Sequence, residues 1–359
     1  MVQEHKVPEH LKDATSAYQR GDYARALQLL YPIANKGDAE AMFCLALMHD
    51  NGHGVEKNDV EAANLFRKAA DMGHVASQFN FARRYHLGQG VEKNHQEAVR
   101  WYLKAVNQGH AGAQTNLGIL YLQDSGVPQD YAEAAKLFRK AADQGYALAQ
   151  SNLATRYLNG QGVKQDFNEA AKWYTKAADQ GYFEAQNNLG LLYNMGVGVP
   201  QNYNEAATLF RKAAEQGYAL AQFNLANRYL KGQGVKKDIN EAIEWYILAA
   251  QKRIAEAVLV VEIIQKSPNF LQLFSNISAG DHSILIAFYK NHSPSQPTSI
   301  FATAKDSAND LLWSEMQKLG WMIEVPVLEI EGAEKFLESI KNFSITELGF
   351  DKIKKLLAL

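Results

Sequence analysis

Residues 145–180 read GYALAQSNLATRYLNGQGVKQDFNEAAKWYTKAADQ, and Gly181 begins the same grammar again. Ala149, Leu153 and Tyr157 fall at i, i+4 and i+8, which is one face of an α-helix. After the turn Gly160-Gln161-Gly162-Val163, the residues Ala170, Trp173, Tyr174, Ala177 and Ala178 fall at i, i+3, i+4, i+7 and i+8, the stripe of a second amphipathic helix. Gly181 then closes that helix as a left-handed cap. The unit is a helix A, a glycine turn and a helix B.

Working outward, glycines recur at 37, 73, 109, 145, 181 and 217, 36 residues apart with no insertion or deletion between them. This is a repeat array. The next step lands on Arg253, so the glycine register stops there, although Ala257 still matches the alanine of each unit. Every turn carries G-x-G-V, at Gly52/Gly54, Gly88/Gly90, Gly160/Gly162, Gly196/Gly198 and Gly232/Gly234, with Asp124 in place of the first glycine in the third case. A nucleotide loop needs a preceding strand and a third glycine, whereas here a helix precedes each copy. The glycines serve the positive φ that leaving helix A requires. Beyond each turn stands Asn58, Asn94, Asp130, Asp166, Asn202 or Asp238, and three residues later Glu61, Glu97, Glu133, Glu169, Glu205 or Glu241. That spacing predicts a capping box, in which the Asn or Asp accepts from a free amide and the glutamate bonds back.

The pattern A-x-x-x-L-(A/G)-x-x-Y, G-x-G-V, (D/N), A-x-x-W-Y-x-K-A-A and a closing glycine resembles the Sel1-like repeat family, a relative of the tetratricopeptide repeat. The resemblance covers 38–252 in six units, and Ala17 to Gly37 resembles a divergent first helix pair. Asp124, His49 in place of the usual tyrosine, and Arg253 depart from it. The resemblance implies a right-handed superhelix of stacked hairpins whose A helices line a concave surface that holds a peptide or partner protein. One hairpin cannot bury its own apolar stripe, so each unit needs neighbours.

By analogy with the tetratricopeptide layout, two columns line that surface. One is Phe43, Phe79, Thr115, Ser151, Asn187 and Phe223; the other is Leu47, Arg83, Ile119, Thr155, Leu191 and Asn227. These are the candidate partner-binding residues. The alternative is that the three phenylalanines pack inward. Two amide columns, Gln78 to Gln222 and Asn80 to Asn224, are expected to bond between repeats, because buried amides must find partners inside the fold.

A second period of 72 overlies the first. Residues 145–180 match 217–252 at 25 of 36 positions but match 181–216 at only 19. Trp-Tyr pairs at 101, 173 and 245 alternate with Leu-Phe pairs at 65, 137 and 209, and Arg84, Arg156 and Arg228 alternate with Met48, Leu120 and Leu192. Duplication of a two-repeat block accounts for this; so would a partner with matching spacing. The arginines could clamp carboxylates or simply cover their neighbours.

The chain has 359 residues, 47% of them hydrophobic, and a formal net charge of -2, which offers no broad basic surface for nucleic acid. Its charged start lacks an apolar h-region and no run of eighteen apolar residues occurs, so the expectation is a cytoplasmic protein without a membrane span. The single cysteine, Cys44, forms no internal disulfide and is expected to be a partly buried helix residue.

After the solenoid (1–254), an apolar helix from about Ala255 to Gln265 is expected to cover the open end, within a 255–275 cap and linker. A small α+β domain is expected over 276–359: strands at 284–289 and 299–304, a helix opened by Ser307, a strand from Trp321 to Ile330 and two further helices. No P-loop, zinc motif or nucleophile elbow occurs, so no enzyme activity, metal or cofactor is expected. His49 and His53 flank the first turn as a loop departure, and His282 with His292, Asp281 and Ser283 is the only polar group of the tail with catalytic chemistry. The leading expectation is a scaffold or adaptor that binds a protein. Its alternatives are an inhibitor of a toxin, as in Sel1-like immunity proteins, and an enzyme whose catalytic unit is the tail.

Overall fold

A computed structural model describes residues 8–266. The expected α+β domain, and with it His282 and His292, lies outside the described residues. Those described form a helical repeat fold without strands: a 3-10 turn Glu9–Leu11, then α1 Lys12–Gln19, α2 Tyr23–Asn35, α3 Ala39–Asn51, α4 Asp59–Asp71, α5 Val75–Leu87, α6 His95–Asn107, α7 Ala111–Leu122, α8 Tyr131–Asp143, α9 Ala147–Asn159, α10 Phe167–Asp179, α11 Phe183–Met195, α12 Tyr203–Glu215, α13 Ala219–Lys231, α14 Ile239–Gln251 and α15 Ala255–Lys266. Two compact units divide them. The first runs to Leu192 and takes in Gly196–Pro200; the second takes Tyr193–Met195 and continues from Gln201.

In the first unit each helix packs on the next from α1 to α10, so every pair shares its apolar stripe with a neighbour. In the second unit α12 packs on α13, α13 on α14, and α14 on α15, which lies against the last pair. Alanines at the B-helix positions 62, 98, 134, 170, 206 and 242 are fully buried and let helices approach closely. The large buried rings sit on the same helices: Phe66, Tyr102, Phe138, Tyr174, Phe210 and Tyr246. At one of the Leu-Phe repeats the packing is tight enough to need glycine, since a Cβ on Gly118 would stand 2.8 Å from Phe138 Cε1, although Ala46 holds the same position before Phe66. Each buried tyrosine hydroxyl finds a polar partner instead. Asn116 donates to Tyr102 at 3.1 Å, Tyr174 meets Thr155 Oγ1 at 2.8 Å, and Tyr246 donates to Asn227 Oδ1 at 2.8 Å.

The two turn glycines do different work. Gly160 ends α9 at φ 67°, a conformation that L side chains rarely adopt. Gly162 also has positive φ, and a Cβ there would fall 1.9 Å from Tyr131 O, because the turn crosses the start of the preceding B helix. Gly90 against Asp59 O, at 1.9 Å, and Gly234 against Tyr203 O, at 1.8 Å, repeat the crossing. Where Asp124 replaces the first glycine, α7 ends one residue early and Asp124 itself takes φ 52°, its carboxylate accepting from Gln129 N at 3.0 Å. Arg253 likewise adopts the glycine conformation, at φ 63°.

The capping box forms by half. Asn58, Asn94, Asp130, Asp166, Asn202 and Asp238 all accept from the amide three residues on, as expected. Their own amides go elsewhere: each donates to a carbonyl near the end of helix A, as Asp166 N does to Tyr157 O at 3.0 Å. The glutamates are therefore released to bond outward. Glu169 accepts from Lys172 Nζ at 2.8 Å and Trp173 Nε1 at 3.0 Å, and these bonds, the lysine's first, hold its carboxyl below the usual range.

Candidate protein-binding face

The two candidate columns sit at fixed registers of the A helices, five in the first unit (α3, α5, α7, α9 and α11) and α13 in the second. The structure sorts them by depth. Thr115, Ser151 and Asn187 are buried; Phe43, Phe79, Phe223, Leu47, Ile119, Thr155, Leu191 and Asn227 are half-buried; Arg83 is exposed. In the first column Thr115 Oγ1 turns back to its own helix, donating to Ala111 O at 2.9 Å, whereas Asn187 Nδ2 donates to Asn188 Oδ1 at 3.2 Å. The phenylalanines lean on neighbouring rings, at the cap of the next A helix for Phe43 and Phe79 and on its own hairpin for Phe223, and stay half-buried. Phe43 lies 5.1 Å from the His74 ring, Phe79 stacks on His110 at 4.5 Å, and Phe223 meets Tyr246 at 5.7 Å. The Arg83 guanidinium stands 6.0 Å from the Phe79 ring. The second column is the more open, and in the first unit it presents Leu47, Arg83, Ile119, Thr155 and Leu191, one from each A helix at the same register.

The amide columns hold repeats together. Gln78 donates to Ala70 O at 3.3 Å, at the end of the preceding B helix, and accepts from Gln108 Nε2 at 2.8 Å. Gln114 accepts from Gln144 at 2.9 Å, and Gln150 from Gln180 at 2.7 Å. The asparagines divide: Asn80 and Asn152 bond back to carbonyls of their own helix, whereas Asn116 and Asn188 reach the buried tyrosine hydroxyls of the preceding B helix.

His53 Nδ1 lies 2.8 Å from the Tyr18 hydroxyl and its ring stacks on Tyr23 at 4.7 Å, while His49 Nε2 lies 3.1 Å from the Tyr31 hydroxyl. The pair thus divides between α1 and α2, tying the first hairpin to the first full repeat. Among the described residues no group of three or more His, Cys, Asp or Glu could hold a metal ion. Burial, with Glu40 and Asp38 nearby, pushes the half-buried Cys44 thiol up to about 12. That leaves it a packing residue at neutral pH. No helix among the described residues is long and apolar enough to cross a membrane.

The Sel1 repeat model matches residues 39–74, 75–110, 111–146, 147–182, 183–218 and 219–253. A Sel1 repeat protein from Oxalobacter formigenes is 31% identical, with a TM-score of 0.63 over 68% of this chain and 97% of its own. The protein c5321, a protective antigen of uropathogenic Escherichia coli with the same repeat fold, is 29% identical, with a TM-score of 0.64 over 82% of this chain and 68% of its own. No curated protein matches. Six consecutive repeat matches over more than half of the sequence, on the hairpins described above, make this chain a member of the Sel1 repeat family.

Proposed function

We propose that the chain is a protein-binding scaffold, and that the face shared by the A helices of the first unit is where it holds a partner protein or peptide. One observation supports this above the others: Leu47, Ile119 and Leu191 keep part of their apolar surface open at one register of alternate A helices, with Arg83 and Thr155 between them. The amides, caps and aromatic rings of the repeats are occupied with holding the fold. An array of such positions offers spaced apolar anchors with a polar interval, the arrangement that extended partners use. Lys136 and Lys172, by contrast, lie on exposed B-helix surface and pair with Glu133 and Glu169 of their own helices.

The test places a photo-crosslinking amino acid at Ile119 or Leu191 of the full chain, in its native cells, with Lys136 and Lys172 as outward controls. Crosslinks to one protein from the first two positions alone are expected, and Ile119→Ser with Leu191→Ser should reduce recovery of that protein about tenfold or more. Equal crosslinking from all four positions, or unchanged recovery by the double variant, removes the assignment of this face.

A further inference from the structure

The three arginines spaced by 72 share a backbone setting but not a chemistry. Each sits in the last turns of an A helix, and Arg84 and Arg228 meet the residues 34 and 25 positions before them, in the previous hairpin. Arg84 donates to Asp50 at 2.5 Å and Asp59 at 3.2 Å and is 3% exposed, a closed ion triad. Arg228 has Asn194 and Tyr203 in those places. It donates to Asn194 Oδ1 and lies 5.9 Å from the Tyr203 ring centroid, 8% exposed.

At the corresponding sequence positions before Arg156 the chain carries Leu122 and Tyr131, and Tyr131 is one of its neighbours. Among the described residues its side chain makes no hydrogen bond or ion pair, and its Nε is buried without an acceptor. Burial lowers its pKa, and the charge-bearing neighbours that act on it are the phenols of Tyr131 and Tyr174 rather than any carboxylate. A guanidinium is always charged, presents a planar fork, and gains most from a carboxylate when it is partly out of water. Unlike Arg84 and Arg228, Arg156 is only half-buried, so a group from outside can reach it.

We infer that Arg156 is a docking point for a carboxylate on an acidic segment of a partner protein, which supplies in trans what Asp50 and Asp59 supply to Arg84 within the chain. The inference rests on the protein-binding reading above and adds the chemistry of the partner to it. Arg156 follows Thr155 directly, so it stands about 100° round α9 from the register of Ile119 and Leu191. A partner on that face with an acidic residue at its border would reach both.

The test uses the full chain with 15N-labelled arginine and follows the Arg156 Nε–Hε resonance. The probes are an acetylated, amidated tetraglutamate peptide and, separately, inorganic phosphate at equal ionic strength. The peptide should shift Arg156 saturably and leave Arg84 unmoved, with phosphate, which also fits the guanidinium fork but brings no chain to lie along the face, weaker by about tenfold. Arg156→Gln should abolish peptide binding. Leu122→Asp, which fills the socket from within as Asp50 does for Arg84, should weaken it about tenfold or more with the helical circular dichroism retained. No saturable shift, an equal shift at Arg84, tighter binding of phosphate, or full peptide affinity in either variant overturns the inference. The Ile119→Ser, Leu191→Ser variant separates the two readings. Loss of partner recovery there with the peptide response intact supports both, and failure of either result alone removes only its own assignment.

Discussion

At single residues, the array is fixed by where a side chain is forbidden. Gly160 and Gly162 look equivalent in the sequence, but one satisfies a dihedral angle and the other a backbone crossing. Gly160→Ala should therefore cost about 1 kcal/mol, the usual penalty of a left-handed L residue. Gly162→Ala should cost about 3 kcal/mol or more, because Tyr131 O cannot move without dragging the start of α8. The same reasoning runs in reverse at Arg253, where a non-glycine residue holds φ 63°. Arg253→Gly should stabilise by about 1 kcal/mol. Urea unfolding of the three single variants checks the order, and equal losses at 160 and 162 would remove the crossing argument. The period of 36 was enough to find these glycines. It could not separate their roles, because the atoms that Gly162 excludes belong to a residue 31 positions earlier, in the previous hairpin.

The helices themselves were legible from their stripes and caps, yet the capping box was read too fully. Sequence spacing places Glu169 where it could bond back to Asp166 N, but that amide is already taken by Tyr157 O across the turn. A reciprocal box would make both side chains matter. Here Asp166→Ala removes the acceptor of two amides, Asn168 N and Glu169 N, each at 3.0 Å, and should cost about 1–2 kcal/mol. Glu169→Ala, losing an exposed lysine pair and one indole bond, should cost about 1 kcal/mol or less. Denaturant midpoints of the two variants decide it, and an equal or larger loss at Glu169 would restore the box. The candidate face was legible only in part for a related reason. A helix register predicts which way a residue points, so the columns could be named. It does not predict that Phe79 finds His110, at the cap of the next A helix, to stack on, or that Thr115 turns to a carbonyl of its own helix.

For the molecule as a whole, the two periods place separate demands on the junctions. Stability in a repeat array is a sum of repeat and junction terms, so a deletion is judged by the new junction as well as by the length lost. At the position where Arg84, Arg156 and Arg228 alternate with Met48, Leu120 and Leu192, each residue must suit the pair 34 and 25 positions before it. Leu120 accordingly falls in register with His86 and His95, whose rings lie 5.5 Å apart and whose surroundings include Lys93 and Arg83. Removing residues 111–182, a whole block of two repeats, would bring Leu192 to that place and keep the alternation. Removing only 111–146 would bring Arg156 there instead, setting a guanidinium against two imidazoles with two cations nearby. His86 is already held below the ordinary histidine range, first by burial and then by His95, Lys93 and Arg83. A further cation there has no carboxylate to meet, and a buried unpaired charge costs about 3 kcal/mol or more. The shorter protein should thus keep a cooperative junction, while the longer one should lose hydrogen-exchange protection on both sides of its junction, in the segments corresponding to α5, α6 and α9. Equal protection across the two junctions would mean that the 72-residue alternation carries no structural requirement and is only a trace of duplication.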